Sequence, residues 1–221
     1  ATLYSAKHQI SNSKHLVKVT TDAEVTQNLQ EESQFLKTHE HPLFPKMVSW
    51  ETIDKHQGVQ IREFIPGHTL ESLAGKLTEA EVLSISAQIA RGLAAIHFMG
   101  YCFGDISANN FIFKDGKITF IDFEFLTKRN PEISGSYLLR GTPAFMAPEL
   151  FYGNPPTIQS DLYGMGGLLY FLITGKQPFS GNNYQELINA HLFNEIPNPA
   201  SEVKGFSEHF GLLILRLLNK E

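Results

Sequence analysis

The sequence predicts an α+β chain in two parts: a small sheet with one helix over residues 1–66, and a mainly helical remainder over 67–221. Three observations lead there. Short runs of β-branched and apolar residues flank a single helical stripe in the first third. Ile65-Pro-Gly67 then breaks the pattern, and beyond it apolar residues recur at helical spacing. Composition sets the outer bounds. With 221 residues, 42% of them apolar, the chain can bury a real core as one or two domains. Charged residues at 19% and aromatics at 11% describe a globular chain, not a disordered one. A net charge of −5 argues against a nucleic-acid or membrane-surface binder, since both want a basic face. The lone cysteine, Cys102, excludes a disulfide framework and a thiolate-rich zinc site and points to a reducing, cytoplasmic setting. Next to Tyr101 it reads as core packing. The longest uncharged stretch, Leu162–Gly175, is shorter than the ~18 residues of a membrane span, and no basic-then-apolar segment opens the chain.

Ala1–Ser5 and His15–Thr20 read as strands, with a polar turn inside 4–14 between them. Thr21-Asp-Ala-Glu24 has capping-box spacing and opens a helix that runs to about Thr38, stopped by His41-Pro42. Met47–Thr52 and Val59–Phe64 are two further strands, joined by a turn at Asp54–Gly58. After the break, Thr78-x-x-Glu81 opens a helix whose Val82, Ile85, Ile89, Leu93 and Ile96 follow 3-4-4-3 spacing until Gly100. Phe111–Phe113 and Ile118–Ile121 form a hairpin across Lys-Asp-Gly-Lys. Leu126–Gly141 is long, polar and irregular, a kind of connection that is either functional or mobile. Helices resume at Asp161–Thr174, Asn183–Phe193 and Ser207–Asn219.

Five features could carry chemistry. Val25, Leu29, Glu32 and Leu36 share one helical stripe, which sets a carboxylate on an apolar face. A buried carboxylate needs a partner, and Lys18, flanked by apolar residues on the preceding strand, is the candidate. The alternative has Glu32 at the edge of the stripe and Lys18 in solvent. Asp105 and Asn110, five residues apart in a short loop, suit a base and a hard-metal ligand, or simply a polar turn. Asp122 ends a strand beside aromatics and Glu124, a position equally suited to Mg²⁺ or to a turn. Glu149 follows Pro148 at the close of Gly141-Thr-Pro-Ala-Phe-Met-Ala-Pro-Glu149, where the bland reading is a helix-initiating residue. Asp161 heads a strongly apolar helix, where the bland reading is an N-cap.

Taken in order, these residues resemble the signature set of protein kinase domains. His-Leu-Val-Lys18 stands where that family has V-A-I-K, and Glu32 where it has the lysine-pairing glutamate. Asp105 and Asn110 match the Asp and Asn of the catalytic loop, and Asp122 the Asp of D-F-G. Thr142 and Glu149 fall in a G-T-x-x-x-x-A-P-E segment, and Asp161 in D-x-W-S-x-G. The resemblance implies a two-lobed fold with a small antiparallel sheet and one helix in the first lobe. It implies transfer of the γ-phosphoryl group of Mg-ATP to a Ser or Thr hydroxyl of a protein or peptide. Lys18, anchored by Glu32, would hold phosphates, Asn110 and Asp122 would hold Mg²⁺, and Asp105 would be the base. Ala1 would end the phosphate loop, with Leu3 and Leu16 above the adenine, Ile112 below it, and the Glu63–Ile65 backbone along its edge.

The sequence also departs from the family. Phe103-Gly104 replaces His-Arg before the catalytic Asp, Ser107 replaces Lys, Glu124 replaces the Gly of D-F-G, and Leu16 replaces a small Ala. Without that Arg, activity is expected not to need phosphorylation of the long loop, so replacing Ser134, Ser136 and Tyr137 with Ala should leave turnover. Arg62, just before the hinge, could compete with Lys18 for Glu32. Asp-Ile-Ser-x-x-Asn with Asp-Phe-Glu is similar to kinase domains of lanthipeptide synthetases, which phosphorylate a precursor peptide. Small-molecule kinases of the aminoglycoside and choline type share part of the pattern, and a pseudokinase binding module is the non-enzymatic rival. The resemblance further implies truncation at both ends. Ala1 lies 17 residues before Lys18, where the last phosphate-loop glycine would stand, and Glu221 stops short of the Arg that would pair with Glu149. The chain alone is therefore expected to bind nucleotide poorly.

Overall fold

The computed structural model describes residues 1–54, 56–129, 140–203 and 205–220. By contacts these form two units, Ala1–Gly67 with Thr119–Glu124, and His68–Ile118 with Phe125–Glu221.

In the first unit, β1 (Thr2–Lys7), β2 (Lys14–Thr20), β3 (Met47–Thr52) and β4 (Gly58–Glu63) make an antiparallel sheet in the order β1-β2-β4-β3. The first hairpin is longer than the sequence pattern predicts. Lys7 pairs with Lys14, and the turn is closed by His8 N–H donating to Ser13 O at 2.9 Å, with Asn12 at φ 59°. Helix α1 (Ala23–Thr38) is capped by Asp22, not Thr21, its carboxylate accepting from Val25 N–H at 3.0 Å. The reason is local: β2 runs through buried Thr20, whose hydroxyl turns to the Asp22 backbone, so Asp22 is the residue poised to cap.

The face of the sheet toward α1 is unusually polar. Lys18, Thr20, Gln60 and Arg62 are all buried, alternating with half-exposed valines and isoleucine on the other face. The helix answers in kind: Gln60 donates to Ser33 Oγ at 2.9 Å, and Thr26 donates to the Asp22 and His56 carbonyls. Apolar packing gathers at the C-terminal end of α1, where Phe35 lies 6.0 Å from Phe44 and 5.5 Å from Phe123 between ring centroids. That aromatic cluster explains why Thr119–Glu124, expected in the second part, groups with the first; Phe120 N–H also donates to Leu43 O at 2.9 Å.

The second unit opens with β5 (His68–Thr69) and the single turn α2 (Leu70–Leu73). Helix α3 (Glu79–Phe98) carries the expected capping box at Thr78 and Glu81, and all five residues of its stripe are buried. Next come β6 (Tyr101–Cys102), β7 (Phe111–Lys114) and β8 (Lys117–Phe120), the last pair one residue off the predicted hairpin. The segment expected to be irregular from Leu126 begins with β9 (Thr127–Lys128), which pairs with β6. Ser134, Ser136 and Tyr137 lie outside the described residues. Helix α4 (Ile158–Thr174) is the core of this unit, its residues from Tyr163 to Ile173 all buried. Gly164 lets the Ile106 side chain touch its backbone, since a Cβ there would stand 2.8 Å from Ile106 Cβ. Helices α5 (Tyr184–Phe193), the short α6 (Pro199–Glu202) and α7 (Glu208–Leu217) complete it. Among the described residues, no helix is long and apolar enough to cross a membrane.

Candidate active site

Two charged clusters emerge, one in each unit. In the first, strand β2 carries Lys18 and α1 carries Glu32, both almost fully buried. Lys18 Nζ donates to Glu32 Oε2 at 3.0 Å and to Asp122 Oδ1 at 3.1 Å. Arg62 does not displace it. Instead Arg62 donates to Glu32 Oε1 at 3.2 Å, an oxygen that Lys18 also reaches at 3.4 Å, so one carboxylate serves two cations. Formal charges cancel: two carboxylates face one ammonium and one guanidinium, which is how such groups tolerate burial. The Asp122 side chain is 36% exposed, the accessible member of the set. It is positioned by its neighbour Phe123, buried 5.0 Å from the Phe44 ring. Burial, reinforced by Asp122, pushes the Glu124 carboxyl upward, with Lys18 opposing.

In the second unit the loop after β6 is hung from α4. Asp161 is not an N-cap; Thr157 caps that helix. Asp161 is 1% exposed and its carboxylate accepts three bonds: from Phe103 N–H at 2.8 Å, from Gly104 N–H at 2.9 Å, and from His97 Nε2 at 2.8 Å. Gly104 is at φ +80°, and a Cβ there would lie 2.5 Å from Phe125 O. The site beyond it is held from two sides. Thr142 N–H donates to Asp105 Oδ1 at 2.8 Å, and Asn110 Nδ2 donates to Asp105 Oδ2 at 2.9 Å and to its carbonyl at 3.0 Å. Ser107 is buried and caps the 3₁₀ turn Ala108–Asn110 by accepting from Asn109 N–H.

The remaining expected residues fall as follows. Leu3 is exposed on β1 opposite Lys18, and Leu16 is half-buried opposite Arg62; Ala1 is exposed just before β1. Glu63 N–H donates to Lys46 O at 2.9 Å, and the Glu63 carboxylate accepts from Lys46 N–H at 3.1 Å. Ile65 is half-buried, and Ile112 is buried on β7 opposite Thr69. Glu149 lies in a 3₁₀ turn, Pro148–Tyr152. Cys102 is buried, and desolvation together with the Asp161 charge pushes its thiol up to about 12, which leaves it inert.

His97, through its 2.8 Å bond to Asp161, is a member of this network that none of the sequence motifs contains. A signal existed: it extends the stripe of α3 through Ile89 and Leu93 at four-residue steps, a polar side chain where an apolar one is expected.

The sequence model of the protein kinase domain matches residues 1–221. The chain belongs to the protein kinase family. Relatives of this kinase domain include the serine/threonine-protein kinase pkn2 of Myxococcus xanthus, 28% identical over 212 residues that cover 90% of this chain and 25% of that protein. The serine/threonine-protein kinase PkaA of Streptomyces coelicolor is 36% identical over 132 residues, 58% of this chain and 24% of that protein. A probable serine/threonine-protein kinase, pknA2 of Bifidobacterium longum, is 28% identical over 166 residues, 73% of this chain and 22% of that protein. The kinase domain thus spans about a quarter of the length of these relatives.

Proposed function

We propose that this kinase domain transfers the γ-phosphoryl group of Mg-ATP to a Ser or Thr hydroxyl of a protein or peptide. The observation that carries the reading is the buried Lys18 ammonium, lying 3.0 Å from Glu32 and 3.1 Å from Asp122. A cation so placed offers hydrogen bonds to phosphate oxygens while a buried carboxylate keeps it oriented. Asp122 and Asn110 are hard oxygen donors suited to Mg²⁺, which takes few protein ligands and the phosphate oxygens besides. When bound, the ion would neutralise charge developing on the β- and γ-phosphate oxygens. Asp105 is the base: its carboxylate, fixed by Thr142 N–H and Asn110, accepts the proton of the incoming hydroxyl. The hydroxyl oxygen then bonds the γ-phosphorus, the bond to the bridging oxygen breaks, and ADP leaves.

Thr142, within Gly-Thr-Pro, supports Ser/Thr over Tyr acceptors, as do the names of the relatives. Phe103-Gly104, in place of a phosphate-binding arginine, supports activity without phosphorylation of the long loop. A phosphate-transfer assay with Mg-ATP on the full-length protein tests the reading. Asp105→Asn and Asp122→Asn should each lower turnover by about two to three orders of magnitude with the fold retained. Wild-type turnover no greater than that of these variants would sink it.

A further inference from the structure

Arg62 is 3% exposed, and among the described residues the carboxylate it pairs with is Glu32. Its Nε finds no hydrogen-bond partner among those residues. A buried guanidinium is costly to desolvate, so its position calls for a role that an apolar side chain would not fill. The geometry supplies one. Glu32 presents both oxygens to Lys18, Oε2 at 3.0 Å and Oε1 at 3.4 Å, and shares Oε1 with Arg62 at 3.2 Å, while Lys18 is also within reach of Asp122.

If Lys18 were the sole counter-ion of Glu32, each engagement of Lys18 by a phosphate would draw charge compensation away from a buried carboxylate. That loss would be subtracted from nucleotide affinity. With Arg62 also on Oε1, Glu32 stays neutralised whichever anion Lys18 serves. We propose that Arg62 is a positioning residue, a standing counter-ion for Glu32 that frees Lys18 for the nucleotide phosphates. This rests on the kinase reading of Lys18. It assigns Arg62 the part of a supporter where simple competition for Glu32 would make it an inhibitor.

The test compares Mg-ATP binding, by calorimetry, and steady-state transfer for the full-length protein and its variants. Arg62→Leu should weaken Kd and raise KM for ATP about tenfold while kcat stays within about threefold, in line with coupling energies of neighbouring charged groups. Arg62→Lys, whose ammonium can still meet Oε1, should recover most of the loss. In a Glu32→Gln background, Arg62→Leu should have no further cost, because the charge to be balanced is gone.

The inference is overturned if Arg62→Leu binds Mg-ATP as well as wild type or better. A loss of kcat at unchanged KM, or an equal loss in the Glu32→Gln background, overturns it too. Should Arg62→Leu fail to fold, Arg62→Lys against Arg62→Gln carries the same comparison. Wild type that binds Mg-ATP but transfers no phosphate would end the functional reading and leave the Kd comparison to decide Arg62. Normal transfer with an indifferent Arg62→Leu would do the reverse. Wild type that does not bind Mg-ATP overturns both.

Discussion

Asp161 shows how one side chain can fix a loop distant in sequence. Its two oxygens take two consecutive backbone N–H groups and an imidazole, so the chain at Phe103-Gly104 has no freedom to drift before it delivers Asp105. Gly104 completes the constraint, because both its left-handed φ and the 2.5 Å approach of Phe125 O exclude a side chain. Gly104→Ala is expected to cost about 1–3 kcal/mol and to lower transfer by more than the loss of folded protein explains. Thermal unfolding beside kcat of the folded fraction measures this; unchanged stability would mean that the loop has another acceptable path. At this scale the sequence was informative about residue type and silent about partners. Asp105, Asn110 and Asp122 stood out because carboxylates and amides in short loops are chemically suggestive. The three donors to Asp161 come from positions 57 to 64 residues away, and two of them are backbone groups that every residue has.

At the scale of elements, local rules carried the helices well and the junctions less so. The Thr78–Glu81 box needs only four consecutive residues, all contacts lie within them, and its reading from sequence coincides with the structure. Thr78→Ala should therefore cost about 1 kcal/mol, seen as a lowered denaturation midpoint at unchanged m-value. Near Thr21 the same pattern misled, since the end of β2 is set by pairing with β4 (Thr20 opposite Gly58), which no local window reveals. Asp22→Ala should carry the penalty that the Thr21 reading would have placed one residue earlier. Likewise β9 is two residues long and exists through its pairing with β6; nothing in Thr127-Lys128 alone asks for a strand.

For the whole molecule, Pro-Gly at 66–67 falls where the first stretch of the first contact unit ends, while Thr119–Glu124 groups with that unit through aromatic contacts that sequence order conceals. Stability as a whole should also report on one buried imidazole. His191 is fully buried on α5, bonded through Nδ1 to the Tyr163 hydroxyl at 3.0 Å, with Phe151 and Phe179 against its ring and Nε2 without a partner among the described residues. Lys220, over the Phe179 ring, donates to the carbonyls of Ala190 and Asn194 beside it. Burial first, and the Lys220 charge second, lower His191 from 6.5 to about 4. The neutral ring is the folded form, so its contribution is complete above pH 6.5 and is lost as pH falls from there to about 4. The loss amounts to about 3 kcal/mol at the acid end. Comparing unfolding free energy across that range for wild type and His191→Phe checks it. The wild-type curve should fall more steeply, and parallel curves would refute the assignment.

The polar interlayer beneath α1 has a thermal consequence. Separating apolar faces exposes surface with a large heat capacity, whereas parting hydroxyl, amide and ion-pair contacts does not. Release of α1 also uncovers Leu29, Phe35 and Leu36, so its van't Hoff plot should curve, but less than an all-apolar interface of the same size would make it. Hydrogen exchange of α1 amides followed over temperature would measure that curvature against the curvature of global unfolding. In this unit the helix is latched in part by direction and charge, and that part of the latch keeps its grip in the cold, where the oily contacts of Leu29, Phe35 and Leu36 weaken.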